Sequence, residues 1–446
     1  MSVEPPELPS LTAREIAALV LSIALVPLNS TMLAVAIPTI AKELSVASEA
    51  LTQGLVASYL LVGIVLQSPG GKLGDGIGHG RALGLGQLVF AAGAIVGFAA
   101  RTMLLLELSR GLMAAGGAVM VPSAFALVRS RVAEAAQARA FGAFGAVMGL
   151  AAAVGPLVGG EIVGRLGWPY LFVVNAPPVL LAAVLARSRV KEPRRAMPRF
   201  DVLGSVLLGV GLVLAVLGLR SQRWALVGLG VIVLVLFFVW ERRAANPVID
   251  PTLFRTRAFA AGVSVFGLQN LAMYALLFEL PVLISRAFGG DAKTSGRTLL
   301  AMTLAMVVGS LSGSRLAAWL GARGAALVGS TVALSGMVYV GWQTPSGASD
   351  LVPGLLLLGV GIGLSTPSVQ TISMAAVDRA KSGMAAGVSS TARYLGGVLG
   401  VGVVSTLLAG AADPLAAHKK AAHLLAVVLL VAIVAAAALP TPAQKT

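Results

Sequence analysis

The chain has 446 residues, of which 57% are hydrophobic and only 11% charged, with a mean hydropathy of +0.91. A soluble surface needs about 25% charged residues, so this composition excludes an ordinary soluble domain and requires lipid around most of the protein. The absence of cysteine excludes disulfides and thiolate metal sites, and three histidines, His79, His418 and His423, are too few for a His-rich centre.

A spanning helix needs roughly 20 mostly apolar residues. Such stretches run over residues 15–40, 51–70, 81–100, 103–128, 139–164 and 168–187, then 202–220 and 224–241. Six more run over 258–285, 295–319, 324–343, 351–376, 383–410 and 421–439. The expectation is an all-α integral membrane protein with 14 transmembrane helices and both termini on one side. With the N-terminus in the cytoplasm, Lys and Arg in cytoplasmic segments outnumber those on the other side about two to one. The charges therefore encode orientation, and the net charge of +15 does not point to nucleic acid. No basic segment precedes the first apolar run, so no cleavable signal is expected.

The sharpest hydrophilic breaks are Arg187 to Arg199 and Glu241 to Arg257. They divide the chain into residues 1–190, a six-helix bundle; 191–257, a linker with two further helices; and 258–446, a second six-helix bundle. Inserting two helices keeps both bundles in the same orientation, as a two-fold axis along the membrane normal requires.

Charges inside apolar helices are costly, roughly 2.5–3.5 kcal/mol each at the bilayer centre, and are retained for a reason. Arg110 lies about two turns inside its helix, and Glu107 three residues earlier shares its face. Glu279 stands beside the kink-prone Pro281, and Arg393 sits near mid-depth. Glu107, Arg110, Glu279 and Arg393 are the candidates for proton coupling. The polar residues Tyr59, Gln67, Gln269, Asn270, Tyr274 and Gln370 are candidates for a cavity walled by Leu, Val, Ala and Met, which suits apolar or amphiphilic cargo. His418 and His423 read most simply as solvated. Glycines spaced by four, among them Gly155 with Gly159 and Gly160 with Gly164, flatten one helix for close packing.

Several motifs fall in a recognisable order. Gly71, Leu73, Asp75, Gly78 and Arg81 fit the pattern Gly-x-Leu-x-Asp-x-x-Gly-x-x-Arg in a loop where glycines permit a tight turn and Asp75 can accept hydrogen bonds from a helix N-terminus or pair with Arg81. Leu28, Asn29, Ser30 and Thr31 lead to Pro38 in helix 1; Arg110, Gly111, Gly116, Gly117 and Pro122 mark helix 4. Gly155, Pro156, Gly159 and Gly160 mark helix 5, and Trp168, Pro169 and Asn175 open helix 6. After helix 8 come Asn246, Pro247 and Asp250, then Arg393, Tyr394, Gly396 and Gly397 late in the chain. Together these resemble the fourteen-helix drug:proton antiporter branch of the major facilitator superfamily.

The resemblance implies a major facilitator fold and a non-enzymatic secondary active transporter. It would export a drug, antibiotic or lipid-like metabolite by proton antiport with alternating access. It implies a bacterial inner membrane, a monomer, protons as coupling ion, and no cofactor or metal. An uncoupled facilitator or importer, or a non-transporting lipid- or ligand-binding membrane protein, are the alternatives. The sequence departs from the pattern at Asn29, where the family places an Asp; at Gly76 and His79, where basic residues are usual; and at Met113 and Ala114, where Gln and Gly are usual. An amide at position 29 cannot titrate, which moves any proton carrier elsewhere, to Glu107 or Glu279.

Overall fold

The computed structural model describes residues 11–132, 134–177, 179, 181, 201–221, 223–245, 247–249, 251–377, 382–409 and 411–440. Every regular element among them is helical. In chain order they are α1 (Ala13–Ala34), α2 (Ile37–Leu44), α3 (Ser48–Ile77), α4 (His79–Ala99), α5 (Met103–Arg131), α6 (Glu134–Arg165) and the short α7 (Tyr170–Val173). Then follow α8 (Val202–Arg220), α9 (Trp224–Glu241), α10 (Arg257–Phe288), α11 (Ala292–Trp342), α12 (Val352–Ala375), α13 (Ser382–Leu408) and α14 (Pro414–Ala437). Eleven are long and apolar enough to cross a membrane. One of these, α11, holds 51 residues, twice what a span needs, and breaks at Gly321, where φ is 73°. Only glycine enters that region without strain, so α11 is two antiparallel spans joined by one residue.

Helix ends follow local chemistry. Thr12 and Glu15 form a capping box at the start of α1. Val35 and Ala36 end α1 before α2, which opens with Pro38 in its first turn, so the expected span 15–40 is two helices. Asp291 caps α11 by accepting from the Thr294 N–H. That bond, together with the Thr294 hydroxyl, holds the Asp291 carboxyl below the usual carboxylate range.

Two later boundaries also differ from expectation. The stretch from residue 168 does not enter a helix directly. Trp168 and α7 form a compact turn in which the Asn175 side-chain amide donates to the carbonyls of Leu171 and Phe172, and most of the remaining span to 187 lies outside the described residues. The last helix begins at Pro414 rather than 421, because Asp413 accepts from the N–H groups of Leu415 and Ala416 and proline suits a helix's first turn. The adjacent hydrophilic residues 418–420 are thus helical.

The bundle has two ends. One holds Gly78, between α3 and α4, and is called here the motif end. The start of α1 lies there against the end of α5, through the Arg131–Glu15 ion pair at 3.4 Å. The opposite end holds α2, α7, and the turns after α10 and before α14. The N-terminal helices meet the C-terminal ones chiefly where α6 packs on α11 and α3 on α13. The α8–α9 hairpin lies outside this seam, with Leu208, Leu212 and Phe237 clustered with Leu61 and Ile64 of α3 and Val388 of α13. Only 17% of α9 is buried, and large apolar side chains such as Leu88, Leu104, Trp319 and Val434 point outward. This is the surface of a protein solvated by lipid.

Candidate functional site

The glycine motif of residues 71–81 is a sharper structure than the loop expected from sequence. Helix α3 runs on to Ile77, α4 starts at His79, and Gly78 alone turns the chain, with φ 96° and ψ 137°. Asp75 pairs with His79 across this turn at 3.3 Å, rather than with Arg81. Arg81 is exposed and its guanidinium donates to the Ile77 carbonyl at 3.4 Å. Gly71 faces Pro122 of α5. The turn needs one residue at positive φ, so Gly71, against Pro122, and Gly74, against His79 and Ser123, serve packing and not loop closure.

The Gly-Pro motif of α6 works on two neighbours. A side chain at Gly155 would collide with Thr31 of α1, and a Cβ at Gly159 would lie 2.7 Å from the Met32 carbonyl oxygen. A Cβ at Gly160 would lie 2.7 Å from the Ala292 carbonyl oxygen of α11, and the Pro156 carbonyl abuts Gly296. Gly164 meets nothing within 4 Å. Hence Gly155 and Gly159 bind α6 within the N-terminal helices, while Pro156 and Gly160 hold it against the C-terminal helices.

At mid-bundle, Arg110 of α5 is 1% exposed. Its guanidinium donates to the Asn29 amide oxygen of α1 and lies 4.0 Å over the ring of Tyr59 of α3. The Tyr59 hydroxyl donates to the Val26 carbonyl at 3.2 Å. A cation above an aromatic face is stabilised by the ring quadrupole, yet Arg110 Nε finds no partner. Across the seam, Tyr274 of α10 stacks on Phe278 and abuts Gly397 of α13. Arg393 of α13 lies 5.2 Å from the Tyr394 ring, and its Nε is also buried without a partner. Gly397, one helical turn beyond Arg393, also faces Leu60 of α3, the residue after Tyr59. Of the residues singled out in sequence, Asn29, Tyr59, Arg110, Tyr274 and Arg393 therefore come together.

The others do not join them. Glu107 is half-buried near the opposite end, its carboxylate pressed on Gly54 of α3. Gln269 is 2% exposed and ties three helices, donating to the Ser330 hydroxyl at 3.1 Å while its carbonyl accepts from Ser365 at 3.0 Å. Asn270 donates to the Phe266 carbonyl of its own helix. Gln67 is half-buried and Gln370 exposed near the motif end of α12.

A second polar centre was only half legible in sequence, which marked Glu279 but not its partner. Glu279 of α10 shares a 2.6 Å hydrogen bond with Nδ1 of His418 of α14, and both side chains are fully buried. The expectation of a solvated His418 is thus corrected. Starting α14 at Pro414 places His418 on the same stripe as Ala421, Ala422, Leu425 and Leu429, all buried. The Asp413-Pro414 start signal was the clue that would have revealed it. Glu279 Oε2 and His418 Nε2 have no partner. Beside them is a small pocket whose lining includes Glu49, Thr52, Glu279 and Ser405. Glu49 in turn meets Arg286 at the end of α10, with both oxygens engaged at 2.5 and 3.1 Å.

Contacts between N- and C-terminal helices gather at the opposite end and the bundle middle. Besides Glu49–Arg286, Lys293 of α11 pairs with Glu161 of α6 at 2.9 Å. Gln53 reaches the Gly402 carbonyl at 3.5 Å, and deeper in, the Thr303 hydroxyl donates to the Ala153 carbonyl at 2.9 Å.

A buried polar centre between two groups of apolar helices, closed at one end, is the build of a transporter, and comparison with known proteins identifies the kind. The Major Facilitator Superfamily profile matches residues 19–401. The chain belongs to the Major Facilitator Superfamily. As a member of this superfamily it is a multi-pass membrane transporter and not an enzyme. It is 32% identical to an uncharacterized MFS-type transporter, YvkA, of Bacillus subtilis, over 88% of this chain and 90% of the relative. It is 31% identical to a probable actinorhodin transporter of Streptomyces coelicolor, over 86% and 70% respectively. Identity is 30% to a puromycin resistance protein of Streptomyces alboniger, over 87% and 80%. Among solved structures, the human organic anion transporter MFSD10 superposes with a TM-score of 0.65 at 17% identity, covering 97% of this chain and all of that one. The shared architecture with this superfamily transporter is thus one of fold.

Proposed function

We propose that this superfamily transporter exports hydrophobic or amphipathic compounds, a drug, antibiotic or lipid-like metabolite, by proton antiport across a bacterial cytoplasmic membrane. The observation that carries the reading is the buried cluster of Asn29, Tyr59, Arg110, Tyr274 and Arg393, which draws on both groups of helices at mid-bundle. Alternating access places a substrate site at such a seam. Relatives at about 30% identity are named as multidrug, puromycin and tetracenomycin C resistance or export proteins, which supports export.

The proposed plan is fourteen spans: residues 1–190 and 258–446 form two six-helix bundles around a two-helix segment, 191–257. The eleven long helices, the break of α11 at Gly321, the apolar α8 and the stretch beyond Asn175 support that count. The basic residues favour a cytoplasmic motif end, with both termini there. The cross-seam contacts then lie outside, and the described conformation is closed to the exterior. The proton carrier in this proposal is Glu279 with His418, since Asn29 cannot titrate and Arg110 is permanently charged.

The test is export from proteoliposomes with and without an inward proton gradient. Accelerated export under the gradient is expected. Equal rates would favour the second reading, uncoupled facilitation, to which the neutral Asn29 beside Arg110 points; saturable binding with no flux would remove transport altogether.

A further inference from the structure

We propose that the central site takes amphiphiles bearing an anionic group, with Arg110 and Arg393 receiving the anion and Tyr59 and Tyr274 flanking the apolar body. The inference rests on the transport reading and adds the charge of the cargo. Three observations lead to it. First, the two guanidiniums come from opposite sides of the seam, Arg110 on α5 and Arg393 on α13, where Gly397, one turn beyond Arg393, faces both Tyr274 and Leu60, the neighbour of Tyr59. Second, among the described residues neither has a carboxylate partner: Arg110 donates to a neutral amide, and both Nε atoms are buried and unpaired. Third, the buried carboxylates of α3 and α10 are held by other partners, Glu49 by Arg286 and Glu279 by His418.

A buried cation without a counterion bears an uncompensated desolvation cost, which an arriving anion offsets. A guanidinium is suited to that task, since it presents several donors in one plane to a carboxylate, sulfonate or phosphate. Aromatic faces add contact area for a ring system while their hydroxyls stay polar. A cationic cargo would meet two like charges here, which disfavours it by electrostatics alone. The same chemistry would accept an anionic lipid headgroup or a lipid-free organic acid.

The experiment uses full-length protein in phosphatidylcholine proteoliposomes and three aromatic probes: anionic anilinonaphthalene sulfonate, its neutral relative N-phenylnaphthylamine, and cationic ethidium. Saturable transport is expected with KM lowest for the sulfonate. In Arg393→Gln the ratio of sulfonate KM to neutral-probe KM should rise about tenfold, and Arg393→Lys should restore part of it. Asn29→Asp, which sets a carboxylate against Arg110, should raise the same ratio about tenfold and improve ethidium transport.

Transport of the neutral or cationic probe without the sulfonate would overturn the charge assignment and leave the transport reading standing. An unchanged KM ratio in both Arg393→Gln and Asn29→Asp would do the same. Saturable binding of the sulfonate in preference to the other probes, without flux, would support the charge assignment and overturn transport; binding and movement of none of the three would overturn both. Added phosphatidylglycerol that competes with the sulfonate would support the assignment with a lipid headgroup as the anion. Preference for the sulfonate undiminished by that lipid would support it with a lipid-free solute.

Discussion

The two buried polar centres of this transporter are built from opposite chemistry. Around Arg110 the structure sets a permanent cation against an amide and an aromatic ring, none of which exchanges a proton near neutral pH. Around Glu279 it sets a carboxylate against an imidazole, 2.6 Å apart and sealed from water, a pair in which one proton has two possible seats. The first centre lies at the seam and draws on both groups of helices; the second joins α10 to α14, both C-terminal. The difference teaches that the charge recognition and proton exchange proposed above, which a single buried Asp–Arg pair could combine, would fall on two separate centres here. Pro156 and Gly160 hold the seam at which the first centre lies, and Glu49 shares a pocket with Glu279 of the second.

The harshest way to break that comparison is to disrupt the seam itself. Gly160→Leu inserts a side chain where even a Cβ would lie 2.7 Å from the Ala292 carbonyl oxygen. Overpacking of about 3 kcal/mol against the closed state corresponds to a loss of transport of about 100-fold, to be read as probe flux at matched protein insertion. Wild-type flux would show that α6 and α11 need not approach so closely.

Glu279→Gln separates the centres. A pH gradient of one unit is worth about 1.4 kcal/mol per proton, or tenfold in accumulation. The variant should lose that gradient-driven factor yet retain substrate exchange at equal pH, measured by counterflow. Gradient-driven accumulation equal to wild type would remove Glu279 as the carrier and return the role to Glu107.

A smaller effect is expected at the closed end. Arg286 is about one-third exposed, so its pair with Glu49 contributes about 0.2–1 kcal/mol. Arg286→Gln should shift the conformational balance up to about fivefold. Because the chain has no native cysteine, a single Ser405→Cys in the pocket reports this shift as faster labelling by a membrane-impermeant thiol reagent. Unchanged labelling would mean the pair does not hold this end closed.

The smallest effect lies away from both centres. Asp291→Ala removes the cap of α11 and should cost about 1 kcal/mol, read as a lower Tm in detergent. Because the native carboxyl is held below its ordinary value by Thr294, the stabilisation is present at neutral pH and is lost as pH falls through the native carboxyl's titration. The gap between wild type and variant should therefore narrow in acid. A constant gap would assign the effect to something other than the ionised cap.

The amino-acid sequence by itself determined the lipid environment, the long apolar helices and the family, since all follow from composition, helix length and motifs read in order. It also singled out Asn29, Arg110 and Glu279, because polar groups stand out against apolar runs. Only the tertiary structure decided their partners. That Arg110 meets Asn29, 81 residues away, and that Glu279 meets His418, 139 away, depends on which helix faces pack, and helical periodicity within one segment carries no information about its neighbour. His418 was hidden for a related reason: beside Lys419 and Lys420 it reads as solvated loop, until the Asp413 cap starts the helix about two turns earlier and turns the imidazole inward.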